Sequence, residues 1–220
     1  MSKFIASAAW PFLARHLYRR RRSRAIARPE GNVYNDPVDF ELVLKRLLAE
    51  FDGDRIRCAV IGGFALGVLG VPRQTMDLDF LVHRDDLTKL DARLSNLGYK
   101  RVFHSENVSQ YHHDEGAWGS LDFVHAFRQI SLAMLQRAKS YPVFGGTQNV
   151  RAVDAEDVIG LKVQALCNDA TRSAQERADI ERLMAHYGKR LDWARTEEYY
   201  TLFGLGEEIK SLKEQFGHAD

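Results

Sequence analysis

The stretch GVPRQTMDLDFLVH, residues 70–83, decides how the rest of this chain is read. Met76, Leu78, Phe80, Leu81 and Val82 make it as apolar as a buried strand, yet it carries Asp77 and Asp79 two positions apart. Side chains alternate across a strand, so the two aspartates point the same way while Leu78 and Phe80 point to the opposite face. Arg73 and Thr75 share the aspartates' face if the extended conformation reaches back that far. Two carboxylates side by side in a site shielded from water repel each other. A hard divalent cation such as Mg2+ relieves the repulsion, because it takes oxygen ligands. The plainer alternative is a pair of exposed charges on an edge strand.

What precedes the aspartates narrows the choice. In AVIGGFALGVLG, residues 59–70, a strand runs into Gly62 and Gly63 and a short helix begins at once. A helix N-terminus presents unpaired N–H groups and the positive end of the helix dipole, and glycine lets a phosphate approach the backbone closely. A Gly-Gly turn alone is explained by a tight turn; followed by Asp-x-Asp on the next strand, it points to a phosphate beside a divalent cation.

The remaining chain sets the frame. Its 220 residues are enough for one large domain or two small ones, with an ordinary hydrophobic share of 45% and charged share of 28%. No apolar run is long enough to span a bilayer. The net charge of +1 hides an asymmetry: residues 1–30 carry +7, from Lys3 and seven arginines against Glu30, which leaves −6 on the rest. In this leader the charge follows the apolar part, the reverse of a secretory signal. It reads as a solvated basic tail or frayed helix, with a nucleic-acid or anionic-membrane contact as the alternative. The two cysteines, Cys58 in a core strand and Cys167 in a buried helix, read as small core residues rather than a disulfide, and the expected compartment is the cytoplasm.

Helical spacing of Phe40, Val43, Leu44, Leu47 and Leu48 predicts a first helix capped by Asp39, and the Leu87, Leu90, Leu94 and Leu97 stripe predicts another that stops at Gly98. YKRVFHS and SLDFVHAF read as strands, and VSQYHHDEGAWG between them as a polar hairpin or loop. From residue 129 onward the texture turns helical, with one short extended piece at NVRAV. The expected architecture is α+β: a basic leader (1–34), a small mixed sheet with helices packed on it (35–128) and a C-terminal, mostly helical region (129–220). His112, His113, Asp114 and Glu115 read as a solvated loop; adjacent histidines point apart on a strand, and no second cluster has zinc-ligand spacing.

IGGFALGVLGVPRQTMDLDFLV resembles the signature of the DNA polymerase β-like nucleotidyltransferase superfamily: an apolar residue, Gly, Gly or Ser, a short helix, then Asp-x-Asp on the next strand. Its Arg-x-Thr-x-Asp-x-Asp form, here Arg73, Thr75, Asp77 and Asp79, is similar to the AbiEii-type toxin branch. The resemblance implies transfer of an NMP from an NTP to an acceptor hydroxyl with release of pyrophosphate. Mg2+ (or Mn2+) would sit on Asp77, Asp79 and a third carboxylate. Asp122 in SLDFVHAF matches that third position and would serve as a metal ligand or as base; a strand-end aspartate bonded to backbone is the other reading, and Glu106 and Asp114 are rivals. Gly62, Gly63, Arg73 and Thr75 would contact the nucleotide. So would Lys162, which falls inside the apolar stripe of AEDVIGLKVQAL and must otherwise snorkel out. Asp179 matches the aspartate of the branch's following helix, with Lys162 or an arginine as its expected partner. Ser173 and Glu176 read equally well as a capping box. The branch's usual Lys-Asp pair in this loop is absent, with Arg172 and Arg177 the basic residues there. The resemblance implies a tRNA acceptor and a neutralising antitoxin protein. A small hydroxylated acceptor of antibiotic type, or a non-catalytic nucleotide-binding protein, is the alternative.

Overall fold

The computed structural model describes residues 38–169, 171 and 173–218. The arginine-rich leader and Arg172 lie outside them. The described residues fall into two compact units, one ending at Val158 and the other beginning at Ile159.

The first unit is built on a mixed seven-stranded sheet. Helix α1 (Phe40–Gly53) starts where Asp39 accepts a hydrogen bond from the Leu42 amide at 3.0 Å, and it buries Val43, Leu44, Leu47 and Phe51. Then come β1 (Cys58–Ile61), α2 (Gly62–Val68) and β2 (Asp77–His83). A 3-10 turn leads into α3 (Leu87–Asn96), followed by β3 (Lys100–His104), β4 (Val108–His112) and β5 (Ser120–Ala126). Helix α4 (Gln129–Arg137), β6 (Lys139–Val143) and β7 (Gln148–Ala152) complete it. The strand order is β3-β4-β5-β2-β1-β7-β6. The β2–β5 and β1–β7 pairs are parallel and the other neighbours antiparallel. The α+β class expected from the sequence is the one observed.

The aromatic part of the core lies against one face of this sheet. Phe80 of β2 and Phe123 of β5 are register partners, stacked with centroids 5.2 Å apart. Phe51 of α1 meets both rings edge-on, at 6.1 and 6.4 Å. Each such aromatic pair contributes about 0.5–1.5 kcal/mol beyond its buried area.

Two readings of the sequence are corrected here. The presumed polar hairpin or loop at 108–119 contains β4, an interior strand. Its polar residues hid it: Ser109 is fully buried because its hydroxyl meets His125, and Tyr111 is buried with its hydroxyl on Asp91. Further on, Lys139–Val143 and the extended piece at 148–152 form an antiparallel pair that joins the same sheet, with Val60 of β1 opposite Ala152. The start of helix α5 (Ala155–Asn168) is tied to this unit by Arg137 on the buried Asp157 (2.8 Å) and Lys139 on Asp154 (3.1 Å).

His113 is buried rather than solvated: its ring stacks on Trp118 at 5.0 Å and its Nδ1 accepts from the Glu115 amide at 3.1 Å. Cys58 lies in the core as expected, and burial pushes its thiol up to about 12. Cys167, expected to be buried, is exposed in the last turn of α5.

The second unit holds most of α5, then α6 (Ser173–Tyr187), α7 (Trp193–Leu202) and α8 (Gly206–Phe216). Gly160 of α5 makes room for Tyr199 of α7, since a Cβ there would stand 2.7 Å from the ring. No helix among the described residues is long and apolar enough to cross a membrane.

His125 yields a test of the β4–β5 seam. Its Nδ1–H donates to the Glu106 carbonyl at 3.0 Å, and in the neutral imidazole Nε2 accepts from Ser109 at 3.1 Å. Burial pulls its pKa from 6.5 down to about 4. Below pH 6.5 the unfolded chain takes up a proton that the folded chain refuses. Stability contributed by this site is therefore present above pH 6.5 and falls steadily toward pH 4. Urea unfolding at pH 7, 5.5 and 4.5 should show the decline, and a His125→Gln variant should lack that component of the slope.

Candidate active site

The register of three strands assembles one row of side chains. Asp79 pairs with Ile61 of β1 on one side and with Asp122 of β5 on the other, and Asp122 faces Gln110 of β4. Asp77 lies two residues before Asp79. In both β2 and β5 the aspartates are half-buried, while Leu78, Phe80, Leu121 and Phe123 are fully buried on the opposite face. Alternation thus puts the three carboxylates on the face away from the aromatic core. Gln110 Nε2 donates to Asp122 Oδ1 at 3.0 Å.

Gly62 and Gly63 sit where β1 becomes α2. Gly62 has φ +65, a left-handed conformation that L side chains rarely adopt, and a Cβ there would stand 2.7 Å from Asp79 Cγ. The Asp79 carboxylate therefore lies directly over the Gly62 backbone. At Gly63 a Cβ would come within 2.7 Å of Thr75 Oγ1 and 3.2 Å of an Arg73 guanidinium nitrogen. The Arg-x-Thr of the loop thus rests on the first turn of α2. Thr75 donates to the Asp77 carbonyl at 3.3 Å and Arg73 to the Gln74 carbonyl at 2.9 Å, which stiffens the approach to β2. Gly63, Arg73 and Thr75 also line an open groove of about 520 Å3, together with Phe40, Phe64 and Phe144.

Gly62, Gly63, Arg73, Thr75, Asp77, Asp79 and Asp122 thus converge within the sheet unit. The donor set is the all-oxygen type that hard divalent ions take. Among the described residues, however, no group of three or more His, Cys, Asp or Glu side chains is gathered so as to hold a metal ion. The carboxylates share a face without being drawn into a ready-made cage.

Lys162 and Asp179 meet in the helical unit. Lys162 Nζ donates to Asp179 Oδ2 at 2.6 Å and to Glu176 Oε2 at 2.8 Å, and all three side chains are buried. Asp179 is the expected partner of Lys162. Glu176, which the sequence offers as half of a capping box with Ser173, turns its carboxylate to Lys162; its position three residues before Asp179, on the same helix face, is the signal for that. Gln110 joins the site without a motif of its own; the alternation of VSQYH opposite SLDFV is the signal that places it beside Asp122. Arg177 pairs with Glu208, which raises its pKa.

A family profile described as an uncharacterised nucleotidyltransferase matches residues 40–209. No curated protein matches the chain. Among solved structures, antibiotic-resistance factor ANT(2'')-Ia in solution superposes with a TM-score of 0.58 at 15% identity, covering 79% of this chain and 95% of its own. The crystal structure of ANT(2'')-Ia with adenylyl-2''-tobramycin gives 0.52 at 18% identity, covering 80% and 95%. An antigenic nucleotidyltransferase-like protein from Paracoccidioides brasiliensis gives 0.50 at 16% identity, covering 84% and 97%. At these identities the likeness is one of fold.

The glycine geometry makes a direct prediction. Gly62→Ala should cost about 1–3 kcal/mol of unfolding free energy, from the left-handed backbone and the clash with Asp79. Gly67→Ala in the same helix, with nothing within 4 Å of its added Cβ, should be neutral or stabilising by up to about 1 kcal/mol. Urea titration of both variants against the wild type reads the contrast.

Proposed function

Because the chain belongs to the uncharacterised nucleotidyltransferase family, we propose that it transfers an NMP from an NTP to an acceptor hydroxyl and releases pyrophosphate. The observation that carries this reading is the register that sets Asp79 beside Asp122, with Asp79 lying over Gly62.

In this reading Asp77 and Asp79 would hold Mg2+ (or Mn2+), with Asp122 as a further ligand or as base. Bound there, the cation would offset the repulsion among the carboxylates and the charge of the triphosphate. Gly62, Gly63 and the amide groups at the start of α2 receive the phosphate tail, and the Arg73 guanidinium adds fixed positive charge. Thr75 holds the approach to Asp77. Lys162 has three N–H donors, two of them engaged by Glu176 and Asp179. The nucleotide contact proposed for Lys162, with Asp179 as its partner, rests on the resemblance to the toxin branch. The acceptor oxygen bonds to the α-phosphorus as the bond from that phosphorus to the pyrophosphate oxygen breaks. Pyrophosphate leaves with the electron pair, and the hydroxyl proton passes to Asp122 where that residue serves as base, or to solvent where it serves as a ligand. The protein's contribution is positioning and fixed charge.

Two acceptor classes have support. A small hydroxylated molecule is suggested by ANT(2'')-Ia, whose structure with adenylyl-2''-tobramycin shares the fold. A tRNA end is suggested by the likeness to AbiEii-type toxins and by the arginine-rich residues 1–30, whose charge suits phosphate contacts. The toxin role would bring an antitoxin partner with it.

The test is pyrophosphate release from each of the four NTPs with Mg2+, alone, with total tRNA or with an aminoglycoside. Release that depends on one acceptor identifies its class. Asp77→Asn should lower release about a hundredfold or more with no loss of unfolding stability, since it removes a repelling charge. Activity retained by that variant refutes the assignment. Nucleotide binding without release under any condition points to the non-catalytic alternative.

A further inference from the structure

We propose that Gln110 is a positioning residue for Asp122, an inference that rests on the transferase reading above. Its amide nitrogen lies 3.0 Å from Asp122 Oδ1. The two residues are direct partners across the antiparallel β4–β5 pair, and on its other side Asp122 adjoins Asp79. One row across the sheet therefore reads Gln110, Asp122, Asp79.

The placement of Gln110 is imposed from behind. Its neighbours Ser109 and Tyr111 point into the core and are fully engaged. Ser109 is bonded to His125 at 3.1 Å, and the Tyr111 ring meets Phe123 edge-on at 5.6 Å while its hydroxyl donates to Asp91 at 3.1 Å. Strand β4 is thus pinned on both sides of Gln110, and the amide is delivered to Asp122 by the strand itself.

The chemistry of the residue suits the task. A glutamine amide donates from nitrogen only, so the bond to a carboxylate fixes which end faces it. It engages one oxygen of Asp122, fixes the plane of the carboxylate and orients the second oxygen. Being neutral, it does so without cancelling the charge that a cation or an acceptor hydroxyl would use. A lysine or arginine in the same place would hold Asp122 equally well but neutralise it. Partners of this kind, one step removed from the reacting atoms, typically change activity by about 10–100-fold when removed.

The experiment compares the wild type with Gln110→Met, which keeps the shape and loses the donor, with Asp122→Asn, and with the double variant. In pyrophosphate release, Gln110→Met should lower kcat about tenfold or more while KM for the NTP changes less than about threefold. This split separates lost orientation from lost binding. Gln110→Glu, which has the same shape but a carboxylate in place of the donor, should fall at least as far. Urea unfolding of the four proteins supplies a readout independent of turnover: the effects of Gln110→Met and Asp122→Asn should be non-additive, as expected for groups in contact. A Gln110→Met enzyme with wild-type kcat, or additive unfolding effects, overturns the proposal. Absence of pyrophosphate release by the wild type with either acceptor sinks the transferase reading instead. The unfolding cycle then still rules on the Gln110–Asp122 pair, upheld by coupling and overturned by additivity.

Discussion

The pairing of Phe80 with Phe123 is the contact on which the rest of the sheet unit depends. Strand faces alternate with a period of two, so a slip of one residue between β2 and β5 would turn every side chain to the wrong side. The stacked rings, closed from above by Phe51, penalise such a slip by driving two large apolar groups into water. Because Asp79 and Asp122 are the immediate neighbours of these rings in sequence, the core sets the register of the carboxylates. Chemistry on one face is fixed by packing on the other.

The second constraint is space. Asp79 can lie over the turn from β1 into α2 only because Gly62 has no side chain and tolerates a left-handed backbone. Thr75 and Arg73 can close on the first turn of α2 only because Gly63 has none either. The two glycines therefore act as much on the protein's own side chains as on any phosphate. They let a strand, a loop and a helix start crowd into one corner, with the Arg73 guanidinium beside Gly63.

The sequence made the contiguous part of this arrangement legible. Gly-Gly at a strand end and Arg-x-Thr-x-Asp-x-Asp on the next strand are local patterns, and the alternation that separates Asp77 and Asp79 from Leu78 and Phe80 is visible in the burial of β2. Strand β4 was not legible, because Ser109, Gln110 and His112 read as polar when counted by type. They are tolerated in a central strand because each finds a partner on another segment, and partners are what a single sequence hides. The pair β6 and β7 was missed for a related reason: an edge strand carrying Lys139 and Pro142 has little apolar signal, and its role is to cover β7. In the helical unit the lysine inside an apolar stripe signalled an anion. The structure supplies two, of which one had been read as part of a cap.

The parallel β2–β5 pair also has a temporal consequence. About forty residues separate Asp79 from Asp122, and β1 gains its second neighbour only with Ala152. Pairings this distant are closed late, because the loop entropy comes before the contact. At a synthesis rate of about 5–20 residues per second, β2 leaves the ribosome roughly two to nine seconds before β5 can join it. Through that interval Phe80 lacks the Phe123 ring and the carboxylate row does not exist. A newly made chain thus lacks that row until β5 has joined β2, and the same seconds are when its apolar strand is most open to mispairing.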